Sequence, residues 1–430
     1  MKNYVNRKFR KLDVEARLNE LHKSGFLSDE DLCAWLDGGN VLSNKAAQHM
    51  VENVIGTFSL PQGLAVNFPV NNRFYCVPMV VEEPSVVAAL SYAGLMAEKS
   101  GGYTASADTP LINGQIQLVG MANIELAAKT VEQNANKILE AANALMPAMV
   151  KRGGGAKKVA VRKLVSRDGL TPMLLVHLAI DTCDAMGANA VNSVCEGVAP
   201  MIETLVGGEA ILRILSNFTD EALARAEVCI PARQLGTKAM RGEQVRDRIV
   251  LANELALIDP WRATTHNKGI MNGIDPVVIA TGNDWRSIEA AAHAYAARNG
   301  QYAALTQWQT TANGDLHGSI ELPLKVGTVG GALQTNPAVA LNQRLLGVES
   351  APELASIIAA VGLAQNFSAL RALVSAGIQQ GHMAMHARSV ALSAAIPDPI
   401  FDEVVRRLIA EGEIKVWRAK EIAEELLDDK

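Results

Sequence analysis

Gly114-Gln-Ile-Gln-Leu-Val-Gly120 alternates polar and apolar side chains, as a half-buried β-strand does. The patterns that follow predict a long helix, two strands, a second helix and a last strand, at residues 123–150, 158–165, 172–180, 184–206 and 210–215. Glycine runs end both helices. This β-α-β-β-α-β order is the split βαβ pattern of ferredoxin-like domains, and roughly 105 residues suits one compact domain.

The helices and strands predicted after Ser216 do not repeat this pattern, so we expect the ferredoxin-like domain to be inserted into a larger mixed α/β domain. Two short helices are predicted in the first 40 residues, followed by a strand at residues 73–81. That strand runs into Glu82-Glu83-Pro84-Ser85, where Pro84 suits the first turn of a helix at residues 86–99.

After the inserted segment, long helices are predicted at residues 244–257, 284–298 and 354–375, and shorter ones at residues 383–394, 402–411 and 419–427. The fold class is therefore α/β (α+β) in three parts. We expect a large domain at residues 1–109 and 217–376, a small domain at residues 110–216 and a C-terminal helical flap at residues 377–430.

The composition limits the possible classes of protein. The chain has 430 residues, of which 49% are hydrophobic and 20% charged, so it can bury a large core and is not a disordered protein. Aromatic residues make up only 4%, which favours an aliphatic, helix-rich core over a β-sandwich. A net charge of −5 argues against general binding to nucleic acid.

The cysteines and the apolar runs predict a soluble cytoplasmic protein. The five cysteines include no C-x-x-C pair and are typical of free thiols in a reducing compartment. The N-terminus does not resemble a secretory signal. The most apolar run, at residues 354–370, is interrupted by Gln365, Asn366 and Ser368, which favours a buried helix pair over a membrane span.

Familiar catalytic signatures are absent. The sequence has no G-x-G-x-x-G after a strand, no P-loop and no G-x-S-x-G elbow. Gly327-Thr-Val-Gly330-Gly331 has the wrong spacing for a nucleotide loop and is typical of a tight turn. His382 and His386 share a helical face, but Met383 stands where a zinc protease needs Glu. We therefore favour two other interpretations over metal binding. Both are ordinary core or surface histidines, or one of them is a proton donor.

Two polar, glycine-rich segments lie between apolar runs, at residues 262–276 and 280–285. This placement predicts loops that hold ligands. Glu83, at the junction of the strand and the helix, is a similar candidate, although an acid there also favours the helix dipole.

Asp184-Ala-Met-Gly187-Ala-Asn189 resembles the D-A-M-G-x-N signature of 3-hydroxy-3-methylglutaryl-coenzyme A (HMG-CoA) reductases. Further stretches are similar to motifs of that family: Glu52-Asn-Val-Ile-Gly56, Glu82-Glu83-Pro84-Ser85, His266-Asn-Lys268-Gly-Ile-Met-Asn272-Gly, Thr281-Gly-Asn-Asp284-Trp and Gly381-His382-Met383. The resemblance runs from about residue 10 to residue 430.

The resemblance implies the soluble, bacterial and archaeal class of the family. It implies reduction of HMG-CoA to mevalonate and coenzyme A in two hydride transfers, or the reverse. It also implies a substrate-binding large domain, a small domain that binds the nicotinamide cofactor without a Rossmann fingerprint, and a homodimer. Besides a second copy of the chain, the resemblance implies only small-molecule partners, namely HMG-CoA or mevalonate and coenzyme A. It implies no metal.

The resemblance also assigns roles to single residues. Lys268 would stabilise the developing oxyanion, with Asp284 beside it. Glu83 would donate a proton to the aldehyde in the second reduction, and His382 would protonate the leaving thiolate. The remaining substrate-binding candidates are Ser85, Arg262, Asn217 and Asn272, of which Asn272 would orient Lys268 and Glu83.

For the cofactor, the resemblance implies contacts from Asp184, Met186, Gly187 and Asn189. Two positions depart from the family's pattern: Cys183 replaces a residue that is commonly basic, and Leu333 replaces a common Thr. Met146 stands where NADH-using relatives have an Asp that contacts the ribose, and the basic residues Lys151, Arg152, Lys157 and Lys158 follow it. This pattern slightly favours NADPH over NADH.

Two alternatives from other classes remain open on the sequence. One is a non-catalytic protein that binds acyl-coenzyme A or a nucleotide. Such a protein would not need the four residues Glu83, Lys268, Asp284 and His382 together. The other is a metal-dependent hydrolase that uses His382 and His386 and would lose its activity with chelators.

Overall fold

The structure is a computed structural model that describes residues 4–6, 8–330, 333, 335–375 and 378–428, with the backbone only for residues 378–385 and 428. The N-terminal part contains α1 Val14–Lys23, α2 Asp29–Leu36, α3 Asn44–Gln48, β1 Gln62–Val70, β2 Arg73–Val80, α4 Val86–Glu98 and β3 Thr104–Ala107. Asp13 and Ser28 cap α1 and α2 by accepting backbone N–H groups of their first turns. The predicted early helices and the predicted strand are confirmed.

The inserted segment comprises β4 Leu111–Val119, α5 Ile124–Gln133, α6 Ala135–Ala144, α7 Pro147–Lys151, β5 Gly155–Val165, β6 Pro172–Asp181, α8 Ala188–Val206 and β7 Glu209–Leu215. Its strands pair antiparallel in the order β5-β6-β4-β7, which is the ferredoxin-like arrangement. The single helix predicted at residues 123–150 is wrong. It breaks at Asn134, whose side chain bonds back to the carbonyl of Thr130, and again before Pro147.

The chain then returns to the large domain with β8 Leu223–Ile230, α9 Ala232–Leu235, α10 Gly242–Ile258, α11 Pro260–Ala280, α12 Trp285–Ala296, β9 Thr306–Thr310, β10 Leu316–Pro323, α13 Pro337–Leu346 and α14 Ala351–Val374. The large-domain sheet has the order β3-β8-β10-β9, and β3 pairs antiparallel with β8. The chain therefore departs from this sheet after β3 and returns to it in the neighbouring strand, β8. For this reason the insertion does not interrupt the sheet.

α14 is the central helix of the large domain. Among the described residues it alone is long and apolar enough to cross a membrane, but 72% of its most apolar window is buried inside the protein. The predicted helix pair is wrong, because Gln365, Asn366 and Ser368 are buried within one continuous helix. These polar groups are accommodated by hydrogen bonds: Asn366 accepts from the indole of Trp308 at 2.8 Å, and Ser368 donates to the carbonyl of Ala89 at 2.7 Å.

The loop predicted at residues 262–276 is also wrong, because this segment lies inside α11. Asp259 accepts the N–H of Arg262 at 2.8 Å, and Pro260 occupies the first turn, so the helix has a regular start. Gly273 serves close packing, since a Cβ there would lie 2.8 Å from the Cβ of Gln365 in α14. The connection at residues 281–284 is a loop, as predicted.

The tail contains α15 Ile378–Ser393, α16 Asp398–Glu411 and α17 Val416–Asp428, close to the predicted helices. They share a small core that includes Ala387, Val404, Leu408 and Ile422. The inserted segment and the large domain have hydrophobic cores of their own. These separate cores support the three-part division that we propose.

Candidate active site

Glu83 and Lys268 form the centre of the candidate site. Glu83 lies in the connection between β2 and α4, and its Oε2 accepts a hydrogen bond from Lys268 Nζ at 2.7 Å. Asn272 follows Lys268 by one helical turn on α11, and its Nδ2 donates to the other carboxylate oxygen of Glu83 at 3.3 Å. The side chains of Lys268 and Glu83 are 61% and 39% exposed, so the ion pair adds little stability but is accessible to a ligand.

The two residues before Lys268 in the motif hold α11 in place. His266 is buried, and its Nε2 hydrogen-bonds with Thr306 at 2.6 Å and with Asn366 at 3.0 Å. Burial, with a contribution from Arg262, lowers the pKa of His266 to about 3, so the ring is neutral. Asn267 donates to the carbonyl of Ala303 at 2.9 Å and accepts from Leu305 N–H at 3.0 Å. His266 is therefore a structural residue that orients Lys268.

Ser85 carries local backbone strain. It has φ of 75° and stands at the N-cap of α4, yet its side chain does not cap the helix. A left-handed conformation at a residue other than glycine costs about 1–3 kcal/mol and is common at ligand sites. Pro84 precedes this cap, so the prediction that it lies in the first helical turn is wrong.

Arg262 and Asp284 are not bonded to this pair in the described chain. Arg262 is in the first turn of α11 and is half-buried, but it is not on the helical face of Lys268. Asp284 caps α12 by accepting the N–H groups of Arg286 and Ser287 at 3.1 and 3.2 Å. Among the described hydrogen bonds and ion pairs, none joins Asp284 to Lys268, so the expected contact is not formed within this chain.

Three of the sequence motifs meet at the segment before α8. Gly327 N–H donates to Asn283 Oδ1 at 2.7 Å, and Asn283 Nδ2 donates to the carbonyl of Gly327 at 3.1 Å. A Cβ at Gly327 would lie 2.5 Å from the backbone nitrogen of Met186, so only glycine permits this approach. Thr328 N–H donates to the carbonyl of Asp184 at 2.8 Å. The run at Gly327 is thus a clamp on the 184–189 segment and not only the tight turn that its spacing predicts.

The 184–189 segment leads into α8 and offers a place for an anion. Gly187 is the N-cap, with φ of 82° and no side-chain cap, and the helix has 19 residues. The first N–H groups of such a helix are free to bind an anionic group such as a diphosphate. Asn189 is exposed on the first turn, whereas the carboxylate of Asp184 accepts Ala351 N–H at 2.8 Å and holds the start of α14. These residues fit a dinucleotide.

The remaining predicted residues are placed as follows. Asn217 is exposed and lines a cavity of about 20 Å³ together with Met186, Ser287 and Lys325. Met146 is only 7% exposed and packs in the core of the inserted domain, so its side chain does not face a cofactor ribose as expected. His382 lies on α15, but its side chain is outside the described residues. The side chains that the structure does describe form no group of three metal-ligating residues.

A half-buried acidic pair escaped the sequence-based predictions. Asp275 is on the Lys268 face of α11, and its Oδ1 is buried without a hydrogen-bond partner among the described residues. Burial and the neighbouring Glu289 raise the pKa of Asp275 to about 8. His293 bonds to Glu289, which lowers the pKa of that carboxyl, and its other ring nitrogen is 2.7 Å from the hydroxyl of Tyr302. The helical position of Asp275 was the only available signal.

The chain matches the family model described as hydroxymethylglutaryl-coenzyme A reductase over residues 13–387. It is 47% identical over 418 residues to a 3-hydroxy-3-methylglutaryl-coenzyme A reductase of Archaeoglobus fulgidus, which covers 97% of this chain and 94% of the relative. It is 37% identical over 347 residues to a probable enzyme of the same name from Borreliella burgdorferi, covering 80% of this chain and 77% of the relative.

Solved structures from Streptococcus pneumoniae share the fold. A 3-hydroxy-3-methylglutaryl-coenzyme A reductase superposes with a TM-score of 0.83 at 42% identity, covering 98% of this chain and 99% of the other. A class II reductase bound to NADPH in open conformations superposes with a TM-score of 0.82 at 44% identity, covering 86% and 99%.

The raised pKa of Asp275 predicts a pH-dependent stability. The folded chain keeps a proton on Asp275 between pH 3.8 and about pH 8, where the unfolded chain has lost it. Stability is therefore lost as pH rises through this window, and Asp275→Asn should remove that loss. Urea unfolding from pH 4 to 8 should show the variant gaining more than about 1 kcal/mol over the wild type. The exposed Asp247→Asn control should follow the wild type, and parallel curves for Asp275→Asn would contradict the prediction.

Proposed function

The chain belongs to the hydroxymethylglutaryl-coenzyme A reductase family, and we propose that Glu83, Lys268 and Asn272 form the centre at which it carries out the family's reaction. It is an oxidoreductase that reduces HMG-CoA to mevalonate and coenzyme A with a nicotinamide cofactor. The observation that carries the proposal is the accessible 2.7 Å ion pair of Lys268 and Glu83, formed between two of the family's motifs.

Lys268 is the proposed electrostatic group. Its ammonium has donors to spare beyond the one that bonds to Glu83, so it can also donate to a substrate carbonyl oxygen as negative charge develops there. Asn272 holds the second oxygen of Glu83 and so fixes the carboxylate relative to Lys268. The direct hydrogen bond between Lys268 and Glu83 provides a path for a proton to the carboxylate, from which it passes to the aldehyde oxygen.

The other proposed contacts follow from position. Ser85 has a strained backbone and a side chain that is not used for capping, which suits a substrate contact. Arg262 and Asn217 complete the proposed substrate set, and Asp184, Met186, Gly187 and Asn189 would hold the cofactor at the start of α8. The nicotinamide supplies the hydride when it is bound. Asp284 and His382 remain in the proposed catalytic set on the strength of the family motifs alone.

Removing the proposed electrostatic group should nearly abolish catalysis. We expect Lys268→Ala to lower kcat by about 10²–10³-fold or more, because the loss of one oxyanion-stabilising group has that effect. The control is Thr264→Ala, an exposed residue one turn earlier on α11. The measurement is the oxidation of NADPH with HMG-CoA, followed by absorbance. More than a tenth of normal activity in Lys268→Ala would refute the mechanism, and HMG-CoA binding without turnover by the wild type would favour a non-catalytic binding protein.

We propose that two copies of the chain form a homodimer through α10 and the start of α11. Leu251, Leu255 and Ile258 lie on one face of α10 and are 71%, 49% and 69% exposed, and the neighbouring Trp261 is 83% exposed. A contiguous exposed apolar surface of this kind is typical of an interface. The five cysteines are all free, which supports the cytoplasmic location that we also propose.

Sedimentation equilibrium tests the homodimer. We expect the wild type to have twice the monomer mass and Ile258→Glu to be mainly monomeric, because a charge there would be buried without a partner. The control is Leu126→Glu, at a position 63% exposed on α5. A monomeric wild type would contradict the proposal, as would an unaffected Ile258→Glu dimer.

We propose that NADPH is the preferred cofactor and that Lys151 and Arg152 bind its 2′-phosphate. Both are exposed at the end of α7, and the backbone carbonyl of Arg152 lies 3.7 Å from the Cys183 thiol, next to the 184–189 segment. Lys157 and Lys158 already have partners, the carbonyl of Gly153 at 2.7 Å and Glu221 at 3.6 Å. The NADPH-bound state of a relative supports this choice.

Arg152→Ala should shift the cofactor preference towards NADH. We expect the ratio of kcat/KM for NADPH to that for NADH to fall about tenfold, the usual effect of one charge-assisted hydrogen bond to a phosphate. Arg167→Ala, in the turn between β5 and β6, is the matched control. An unchanged ratio would mean that other residues bind the 2′-phosphate.

A further inference from the structure

Lys325 is a buried cation that the motifs do not include. It follows β10, is only 4% exposed, and its Nζ donates to the carbonyl of Ala185 at 2.8 Å. An ammonium has three N–H donors, and this is its one described hydrogen bond. The side chain thus reaches from the large domain to the segment that leads into α8.

The surroundings of Lys325 do not neutralise it. Asp181, Asp184 and Cys183 are close enough to favour its charged form, but no carboxylate of the described residues forms an ion pair with it. The carboxylate of Asp184 is engaged with Ala351 N–H, and that of Asp181 accepts the N–H of Cys183 at 2.8 Å. Burial prevails, and it lowers the pKa of Lys325 to about 8.

Lys325 and the start of α8 border the same small cavity. Its lining includes Lys325, Met186, Ala188 and Asn217. The uncapped N-terminus of α8 is a positive end of a helix dipole, and Lys325 adds a full charge beside it. The ammonium of Lys325 has N–H donors without a described partner, and the N-terminus of α8 is free. Both therefore favour a negatively charged group at this position.

We propose that Lys325 is a positioning residue for the cofactor: its ammonium holds the carbonyl of Ala185 and supplies the positive charge that favours the diphosphate of a nicotinamide dinucleotide at the start of α8. This inference rests on the proposed function, because it takes the 184–189 segment as the cofactor site. It adds to that site a residue that follows β10 and lies outside the family motifs quoted above.

A purely structural role predicts a different behaviour. A buried ammonium without an ion-pair partner lowers stability, and an apolar side chain of similar length would remove that penalty. Lys325→Met should therefore keep or raise the melting temperature while weakening cofactor binding. A residue that is retained for packing alone would show the opposite, a lower melting temperature with cofactor affinity unchanged.

The test measures binding of NADPH and of ADP-ribose to the full-length chain by calorimetry, with thermal unfolding of the same samples. For Lys325→Met we expect both dissociation constants to rise about tenfold, while kcat at saturating NADPH stays within about threefold of the wild type. Lys325→Gln keeps a donor for the carbonyl of Ala185 but has no charge, and it should behave like Lys325→Met. The control, Lys163→Met, removes an exposed lysine of β5 that pairs with Glu125 and should change neither quantity.

Wild-type affinity in Lys325→Met would overturn the inference, and so would full affinity in Lys325→Gln, which would show that the charge is not used. If Lys325→Met fails to fold, Lys325→Gln decides the question by the same affinity criterion. A wild-type chain that binds no NADPH, NADH or ADP-ribose would overturn the proposed function and the inference with it. A wild type that binds them, with variants that bind equally well, would overturn the inference alone.

Discussion

The buried hydrogen bonds of His266 and Asn267 are the constraint on which the candidate site depends. They join α11 to the chain around β9 and to α14, and so they fix the rotation of α11 about its axis. Gly273, two turns further along the same face as His266, lets α14 approach closely. With the rotation of α11 fixed, Lys268 and Asn272 face Glu83. Only two hydrogen bonds hold Glu83 to these residues, so a small rotation of the helix would separate them.

A second constraint links the two domains. The side chain of Asn283 is bonded at both ends to Gly327, and Gly327 lies directly against Met186. Asp184 in turn holds the start of α14 through Ala351. The proposed cofactor segment is therefore fixed to the same core as α11, which is how an inserted domain with its own hydrophobic core can present a ligand at a defined place.

The site region contains groups that reduce stability. Asp275 is half-buried beside Glu289, Lys325 is buried without an ion pair among the described residues, and Ser85 has a left-handed backbone. Each of these is unfavourable for folding, and each lies in or next to a segment with a proposed functional role. Such local penalties are expected where a protein is selected for binding and catalysis, because the rest of a large core offsets them.

The sequence alone predicted the inserted ferredoxin-like domain, the early helices and the family, and its motifs placed Glu83, Lys268 and Asn272 in one candidate site. These depend on local periodicity and on short motifs, which a chain carries in its order of residues. Tertiary structure decided that residues 262–276 are helical, because Gly273 packs against α14 and Asp259 caps the helix. It also decided that Met146 is buried and that Lys325 bonds to the carbonyl of Ala185, since both depend on contacts between elements far apart in the chain.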